Sequence, residues 1–213
     1  HNPSGTILSK WDMEQLEALL KPTNILLLSD EVYEHIIFDK QTHESSSRFN
    51  DLAQRSFICA SFGKTFHVTG WKVGYCVAPA ELMKEFRKVH QFAVFCVDHP
   101  VQRALAEYLK NPSHYLDLNN FYQQKRDFFL EGIKSSKFNF KPSNGTYFQL
   151  LDYSTISMEQ DEIIGKRLIT ENGIASIPIS SFNVNNRNDH MLRFCFAKKQ
   201  ETLEQAVQIL CKL

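Results

Sequence analysis

The spacing of apolar residues alternates between short runs and helical periods along the chain, which predicts an α/β protein. Apolar runs bounded by polar residues predict strands at residues 25–28, 55–60, 74–78, 138–141, 146–151, 174–179 and 191–197. Apolar residues at helical spacing predict helices at residues 10–21, 80–93, 100–109, 113–134, 159–171 and 201–213. The first run is apolar on both faces, which is typical of a buried parallel strand.

Polar residues and glycines mark where several of these elements begin and end. Ser9, followed by acidic residues, predicts the start of the first helix. Asn172-Gly173 is a C-cap pair that predicts the end of the helix before it. Residues 142–145, which end in Asn-Gly, predict a hairpin turn between the strands on either side. The polar stretch 39–50 predicts a mobile surface loop.

The chain is predicted to hold two domains. A boundary along helix 113–134 divides it into residues 1–115 and residues 116–213. The sequence begins at a histidine, and residues 1–6 read like the middle of a motif. We therefore expect this chain to be the C-terminal part of a longer protein.

The composition is that of an ordinary globular protein. Of 213 residues, 43% are hydrophobic and 23% are charged. The 24 basic residues balance the 24 acidic ones, so neither a nucleic-acid partner nor an anionic membrane surface is indicated. No apolar run is long enough to span a bilayer. The five cysteines are widely spaced and lack the spacing of metal ligands, which predicts reduced thiols in a cytoplasmic protein and no metal site.

Lys64 is the first candidate for chemistry, because it follows the predicted strand 55–60 and precedes a turn with several glycines. Sites in open α/β sheets form at the carboxyl ends of strands. A partly desolvated lysine there loses its proton readily and becomes a nucleophile that can trap a carbonyl group. Position alone leaves open that Lys64 is a solvated surface residue.

Asp30 and Tyr33 follow the predicted strand 25–28. An acid at the end of a buried strand is costly unless it is paired, so Asp30 either caps a helix or faces a buried cation. The three-residue spacing lets Asp30 and Tyr33 point the same way if the turn is helical. The intervals from Asn2 to Asp30 and from Asp30 to Lys64 each fit one helix or loop plus one strand, so all three residues can reach one sheet edge.

Asn2 and Arg193 are two further candidates. Asn2 lies in an Asn-Pro-Ser-Gly sequence that is a turn by composition. Arg193 lies between apolar neighbours in the predicted strand 191–197. It is either a surface residue on the polar face or a buried guanidinium, and a buried guanidinium requires an anion such as a carboxylate.

The segment from residue 61 to residue 75 resembles the lysine motif of the class I and II aminotransferases, enzymes of the aspartate-aminotransferase fold that use pyridoxal 5′-phosphate. The positions that match the family motif are Ser61, Lys64, Gly70, Lys72 and Gly74. Gly63 stands where a second serine is usual, and Lys72 stands where an arginine is usual. The string from His67 to Tyr75 is most similar to the methionine, glutamine and kynurenine transaminase branch.

The resemblance implies roles for the candidate residues. Lys64 would hold the cofactor as a Schiff base and act as the catalytic base. Asp30 would pair with the pyridinium nitrogen, and Tyr33 would donate to the phenolic oxygen. The remaining roles would be phosphate binding for Ser61 and Lys72, contact with the phenolic oxygen and the substrate carboxylate for Asn2, and binding of the substrate α-carboxylate for Arg193.

The resemblance also implies a fold and an activity. The fold would be the three-layer α/β fold of pyridoxal-phosphate-dependent transferases, with a mostly parallel sheet in a large domain and a smaller α+β C-terminal domain. The activity would be ping-pong transfer of an amino group from methionine, glutamine or an aromatic amino acid such as kynurenine to a 2-oxo acid, in a homodimer. A pyridoxal-phosphate-dependent C–S lyase, an aminotransferase-like regulatory binding domain and an inactive fragment stay open as alternatives.

Overall fold

The structure is a computed structural model that describes residues 1–213. Its helices are α1 (Lys10–Leu20), α2 (Asn50–Ala53), α3 (Phe62–Thr65), α4 (Ala80–Ala93), α5 (His99–Tyr108), α6 (Ser113–Leu116), α7 (Leu118–Gly132), α8 (Asp161–Asn172) and α9 (Gln200–Leu210). Its strands are β1 (Leu27–Asp30), β2 (Ser56–Ser61), β3 (Gly74–Val77), β4 (Phe148–Asp152), β5 (Ile177–Pro178) and β6 (Met191–Cys195). None of the helices combines the length and the apolar character that crossing a bilayer requires.

Contacts between residues divide the chain into two compact units. The lysine unit, named after Lys64, comprises Leu8–Ile37 and Thr42–Leu118. The arginine unit, named after Arg193, comprises His1–Ile7, Phe38–Gln41 and Asn119–Leu213. The assignment of residues 1–115 and 116–213 to a large cofactor-binding domain and a smaller domain stays a prediction.

The sheet of the lysine unit has the strand order β1-β2-β3. β1 and β2 are parallel, with Asp30 opposite Cys59, and β2 and β3 are antiparallel, with Ser61 opposite Gly74. A Cβ atom on Gly74 would lie 2.5 Å from the carbonyl oxygen of Ala60, so this close approach of two strands requires glycine. Glycine here lets the chain return beside β2 directly after residues 62–73, which we call the lysine loop.

The predicted start of α1 is confirmed, and its apolar face forms part of a core. Ser9 caps the helix by accepting from the N–H of Asp12, while the Asp12 carboxylate accepts from the N–H of Ser9 at 2.7 Å. One apolar cluster of this unit comprises Met13, Leu20, Phe49 and Leu52. A second cluster, of Phe66, Val73 and Leu105, lies around the lysine loop. Both ends of this loop are therefore held by packed apolar side chains.

Two expectations for the segments between residues 25 and 134 were wrong. The first strand begins at Leu27 rather than at residue 25, and Leu28 is 71% exposed instead of buried. The predicted helix 113–134 is interrupted at Asp117, which separates α6 from α7. The polar stretch 39–50 is mostly exposed, as expected of a surface loop, but it includes the fully buried Ser46 and a short 3₁₀ turn at Ser46–Arg48, and its mobility stays a prediction.

The sheet of the arginine unit has the strand order β4-β6-β5, and both pairs are antiparallel. α8 ends at Gly173 with a left-handed conformation (φ 69°), as the Asn-Gly pair predicts. The predicted hairpin at residues 142–145 was wrong, because β4 pairs with β6 and only the isolated bridge between Asn139 and Asp152 remains. The turn instead holds the N-terminal segment, since Asn144 and Gly145 both donate to the carbonyl oxygen of Gly5, at 2.9 and 3.0 Å.

The arginine unit also contains a buried cation that has a structural role. Arg126, 4% exposed, donates to both carboxylate oxygens of Asp39 at 2.7 Å and to the carbonyl oxygen of Ser143 at 2.7 Å. The hydrogen bond from Arg126 holds the pKa of Asp39 below its usual value. This bidentate pair fixes the segment Phe38–Gln41 within the unit.

Candidate active site

Lys64 lies on the one-turn helix α3, directly after the end of β2. Ser61 is the last residue of β2 and caps α3, because its Oγ accepts from the N–H of Lys64 at 3.3 Å. The Lys64 side chain is half-buried. A short helix thus replaces the loop expected from the sequence, and the serine of the motif orients the backbone of the lysine.

Asp30 is the last residue of β1 and its side chain is exposed. Its carboxylate accepts from the N–H of Val32 at 3.3 Å. Because β1 and β2 are parallel and Asp30 lies opposite Cys59, the carboxyl ends of the two strands bring Asp30 and the segment Ser61–Lys64 to one edge of the sheet. The sequence predicted this arrangement for Asp30 and Lys64 together with Asn2, and the position of Asn2 at this edge stays a prediction.

Tyr33 lies in the turn that follows β1 and is half-buried. The turn is closed by hydrogen bonds from the N–H of Glu34 to the carbonyl oxygen of Glu31, at 3.0 Å, and from Ile36 to Tyr33, at 2.8 Å. The carboxylate of Glu34 accepts from the hydroxyl of Tyr75 on β3 at 2.5 Å. The turn that carries Tyr33 is therefore bound to the strand that follows the lysine loop.

Glu31 was missed by the sequence analysis. Its carboxylate is 6% exposed and accepts from the Ser29 hydroxyl at 2.8 Å, the Ser46 N–H at 3.0 Å and His43 Nε2 at 2.8 Å. Burial alone would raise the pKa of Glu31, but the hydrogen bonds, that of His43 first, outweigh it and lower the pKa to about 2. The neighbouring acids thus differ, since Asp30 is exposed and Glu31 is enclosed.

The hydrogen bonds of Glu31 are expected to make stability depend on pH. The pKa is about 2 in the folded chain against an ordinary value of 4.5, so the stabilisation is complete above pH 4.5 and is lost as the pH falls towards 2. The stability difference between the wild type and Glu31→Gln should shrink by on the order of 1–3 kcal/mol between about pH 6 and pH 3. Urea unfolding at the two pH values measures this, and an unchanged difference would contradict it.

Lys72 lies between the 3₁₀ turn Thr69–Trp71 and β3, with an exposed side chain and a left-handed backbone (φ 56°). Gly63, the other departure from the family motif, lies in a crowded position. A Cβ atom there would be 3.1 Å from Thr69 Cα and 3.3 Å from Ser61 Oγ. The absence of a side chain at residue 63 therefore lets the turn Thr69–Trp71 lie close to the cap of α3.

Arg193 lies on β6, the central strand of its sheet. Its side chain is half-buried and lies on the face opposite Leu192 and Phe194. The guanidinium stacks 4.0 Å from the ring centre of Phe148 and 5.2 Å from that of Phe182, and it donates to Oδ1 of Asn2. The structure therefore brings Arg193 and Asn2, both predicted substrate ligands, into direct contact.

The two rings that hold Arg193 were also missed. Phe148 lies two residues before Leu150, the partner of Arg193 across β4 and β6, so it shares a face with the arginine. This diagonal relation could have been found once the two strands were known to pair. Residues 174–179 were predicted to form a strand, but β5 ends at Pro178 and a 3₁₀ turn follows at Ile179–Phe182. Phe182 is the last residue of this turn. No pattern in the sequence indicates its contact with Arg193.

The side chains of the lysine unit fit pyridoxal phosphate by their chemistry. The sheet edge presents a carboxylate (Asp30) suited to a protonated ring nitrogen and a half-buried amine (Lys64) suited to an aldehyde. The hydroxyl of Ser61 and the exposed ammonium of Lys72 suit a phosphate group. Tyr33 adds a phenolic hydroxyl from the turn after β1.

A family comparison identifies the class of protein that this fold and site define. The chain belongs to the family described as aminotransferase class I and II, which matches residues 1–210. Enzymes of this family generally depend on pyridoxal phosphate.

Comparison with individual proteins shows which members of the family this chain resembles. The chain is 45% identical to the methionine aminotransferase of Escherichia coli K12 over 100% of its own length and 55% of that protein. It is 31% identical to the kynurenine–oxoglutarate transaminase of Dictyostelium discoideum, over 100% of its length and 54% of that protein. The chain therefore spans about half the length of the curated relatives it matches.

A solved structure confirms the predicted fold class. An Escherichia coli protein described as having a methionine aminotransferase function superposes with a TM-score of 0.97 at 45% identity. The superposition covers 100% of this chain and 57% of that protein. The chain thus has the aspartate-aminotransferase fold that the lysine motif implies.

Proposed function

We propose that this chain is part of a pyridoxal-phosphate-dependent aminotransferase that moves an amino group from an amino acid to a 2-oxo acid in two half-reactions. The observation that carries the proposal is the parallel pairing of β1 and β2, which brings Asp30 and Lys64 to one sheet edge. Membership of the aminotransferase family supports the same reaction.

Lys64 and Asp30 carry the chemistry in this proposal. When bound, pyridoxal phosphate supplies a reactive aldehyde and a ring that withdraws electrons from the reacting carbon. The carboxylate of Asp30 holds a proton on the ring nitrogen, because its negative charge favours the protonated form. Nζ of Lys64 accepts the proton from Cα of the amino acid, and its fixed position gives it the advantage of proximity.

The remaining residues orient the reactants. Ser61 and Lys72 bind the phosphate group, and Tyr33 and Asn2 donate to the phenolic oxygen. Arg193, helped by Asn2, binds the α-carboxylate of the amino acid. The rings of Phe148 and Phe182 support this role, because they restrict the guanidinium to one orientation.

The relatives suggest the substrates and the setting. The names of two relatives support methionine and kynurenine as amino donors. Glutamine is proposed only from the resemblance of residues 67–75 to the methionine, glutamine and kynurenine transaminase branch. We propose a homodimer, because Phe92 at the end of α4 and Phe95 just after it are exposed and present an apolar surface that a second subunit would cover. The free cysteines support a location in the cytoplasm.

An assay with purified intact protein tests the proposal. Methionine is supplied with a 2-oxo acid, and we expect the oxo acid of methionine to form in step with the amino acid of the acceptor. Release of ammonia without use of the acceptor would instead indicate a lyase. Cofactor binding without either reaction would point to a regulatory binding domain.

Replacing Lys72 with arginine is expected to tighten cofactor retention. A guanidinium can grip a phosphate with two parallel hydrogen bonds, whereas an ammonium acts as a point charge. One added hydrogen bond corresponds to about 1 kcal/mol, or roughly fivefold in the dissociation constant. Equilibrium dialysis followed by absorbance of the retained cofactor measures this, with Lys84→Arg on the exposed face of α4 as control. Weaker retention of the cofactor in Lys72→Arg than in the wild type would contradict this prediction.

A further inference from the structure

Glu31 and Asp30 are consecutive residues with opposite surroundings. Consecutive side chains of an extended chain point to opposite sides, so the exposed Asp30 and the buried Glu31 leave the end of β1 in different directions. The N–H of Glu31 donates to the carbonyl oxygen of Cys59 at 2.7 Å, which extends the pairing with β2 to this residue. Whatever fixes Glu31 therefore also fixes the direction of Asp30.

The three hydrogen bonds of the Glu31 carboxylate come from two segments. Ser29 donates from the same strand, whereas His43 and Ser46 donate from the stretch after the turn. Ser46 is fully buried and its hydroxyl also donates to Ser29 at 3.0 Å. Removing the carboxylate would leave three donors without their acceptor, which is costlier than losing an exposed contact.

The stretch that supplies these donors is itself held in place. Arg48 donates to the carbonyl oxygen of His43 at 3.2 Å and to the carboxylate of Glu44 at 2.9 Å. Ser45 caps the 3₁₀ turn that begins at Ser46 by accepting from the N–H of Ser47. The surroundings of Glu31 thus form a built cradle rather than a set of chance contacts.

We propose that Glu31 is a positioning residue for the cofactor site. Glu31 holds the carboxylate of Asp30 towards the sheet edge where Lys64 lies. The inference rests on the proposed function. Glu31 is assigned no contact with the cofactor and acts on it through Asp30, at the start of the turn that carries Tyr33. The hydrogen bond between Glu34 and Tyr75 holds the other end of this turn, so the segment between Asp30 and Glu34 is secured at both ends.

Equilibrium binding of pyridoxal phosphate to the intact apoprotein tests this role. Glu31→Gln keeps the shape of the side chain but removes its charge and one acceptor oxygen. We expect the dissociation constant to rise about 10-fold, the size typical when the support of a ligand-binding residue is lost. His43→Leu removes one donor from a half-exposed position and should fold normally, with a rise of about threefold.

Asp161→Asn is the matched control. Asp161 is also a fully buried carboxylate, and it accepts from the N–H and the hydroxyl of Ser180 at 2.7 and 2.6 Å in the arginine unit. Both variants should lower the thermal unfolding temperature. Only Glu31→Gln should weaken cofactor binding. Equal binding in the wild type and both variants would overturn the proposal and leave Glu31 a purely structural residue.

A double-mutant cycle separates positioning from general loosening. If Glu31 acts through Asp30, its substitution should have little further effect on cofactor binding once Asp30→Asn has been made. Additive losses in Asp30→Asn/Glu31→Gln would overturn the proposal. A wild-type protein that binds no pyridoxal phosphate would refute the proposed function itself, whereas normal wild-type binding with unchanged Glu31→Gln binding would refute this inference alone.

Discussion

Replacing Lys64 with alanine is expected to lower the rate of amino transfer by about 1,000-fold or more, because the variant loses both its nucleophile and its base. The fold should survive, since Lys64 is half-buried on a one-turn helix whose cap, the hydroxyl of Ser61, binds the backbone rather than the side chain. Far-ultraviolet circular dichroism and the unfolding temperature would therefore stay close to those of the wild type.

Two measurements check this expectation. The absorbance of the bound cofactor should shift when methionine is added to the wild type and should lose its lysine-dependent form in Lys64→Ala. A small primary amine in the buffer should restore part of the proton transfer, because it replaces the missing base without its fixed position. Lys84→Ala, an exposed lysine of the same unit, should behave as the wild type. Normal activity in Lys64→Ala would refute the assignment of the catalytic amine.

The parts of the fold that were predicted correctly depend on signals close together in the sequence. Ser9 and Asp12 form the cap of α1 within one turn, and Gly173 ends α8 where a left-handed residue is needed. The strand before Lys64 was predicted correctly because a short apolar run has polar residues at both of its ends. Each of these features depends on a few neighbouring residues and needs no knowledge of distant partners.

The errors concern partners that are distant in the sequence. Leu28 is apolar, but its burial depends on what covers that face of β1, and the pattern of β1 alone does not report this. The turn signal at Asn144-Gly145 is real, yet β4 pairs with β6 instead of with the segment before the turn. The turn binds Gly5, more than a hundred residues away along the chain.

In the candidate site, too, features that depend on nearby residues were predicted and contacts between distant segments were not. Lys64, Asp30 and Arg193 could be proposed because each lies in a strand or directly after one, where a charged residue is unusual, and the family motif then suggested their roles. The contacts that hold Arg193 and Glu31 in place could not be predicted from the sequence. Glu31 is held by His43 and Ser46 of a later segment, and Arg193 is held by rings from two other segments. These contacts exist only after the chain has folded.

Replacing Arg193 with leucine is expected to lower kcat/KM for methionine by about 30- to 4,000-fold, which corresponds to the 2–5 kcal/mol typical of a lost charged hydrogen-bonded pair. Arg193→Lys should recover only part of this, because an ammonium neither stacks between Phe148 and Phe182 nor presents two parallel donors to a carboxylate. Arg187→Lys, at an exposed arginine paired with Asp189, is the control and should change little.

The loss in the Arg193 variants should be specific to the substrate carboxylate. Cofactor affinity should change far less than kcat/KM, because Arg193 is assigned no contact with the cofactor and is linked to it only through Asn2. An amine with the methionine side chain but no carboxylate should react poorly and about equally with the wild type and Arg193→Leu, since neither can then use the guanidinium. If Arg193→Leu weakened the reaction of this amine as strongly as that of methionine, the arginine would act on the shape of the site rather than on the carboxylate.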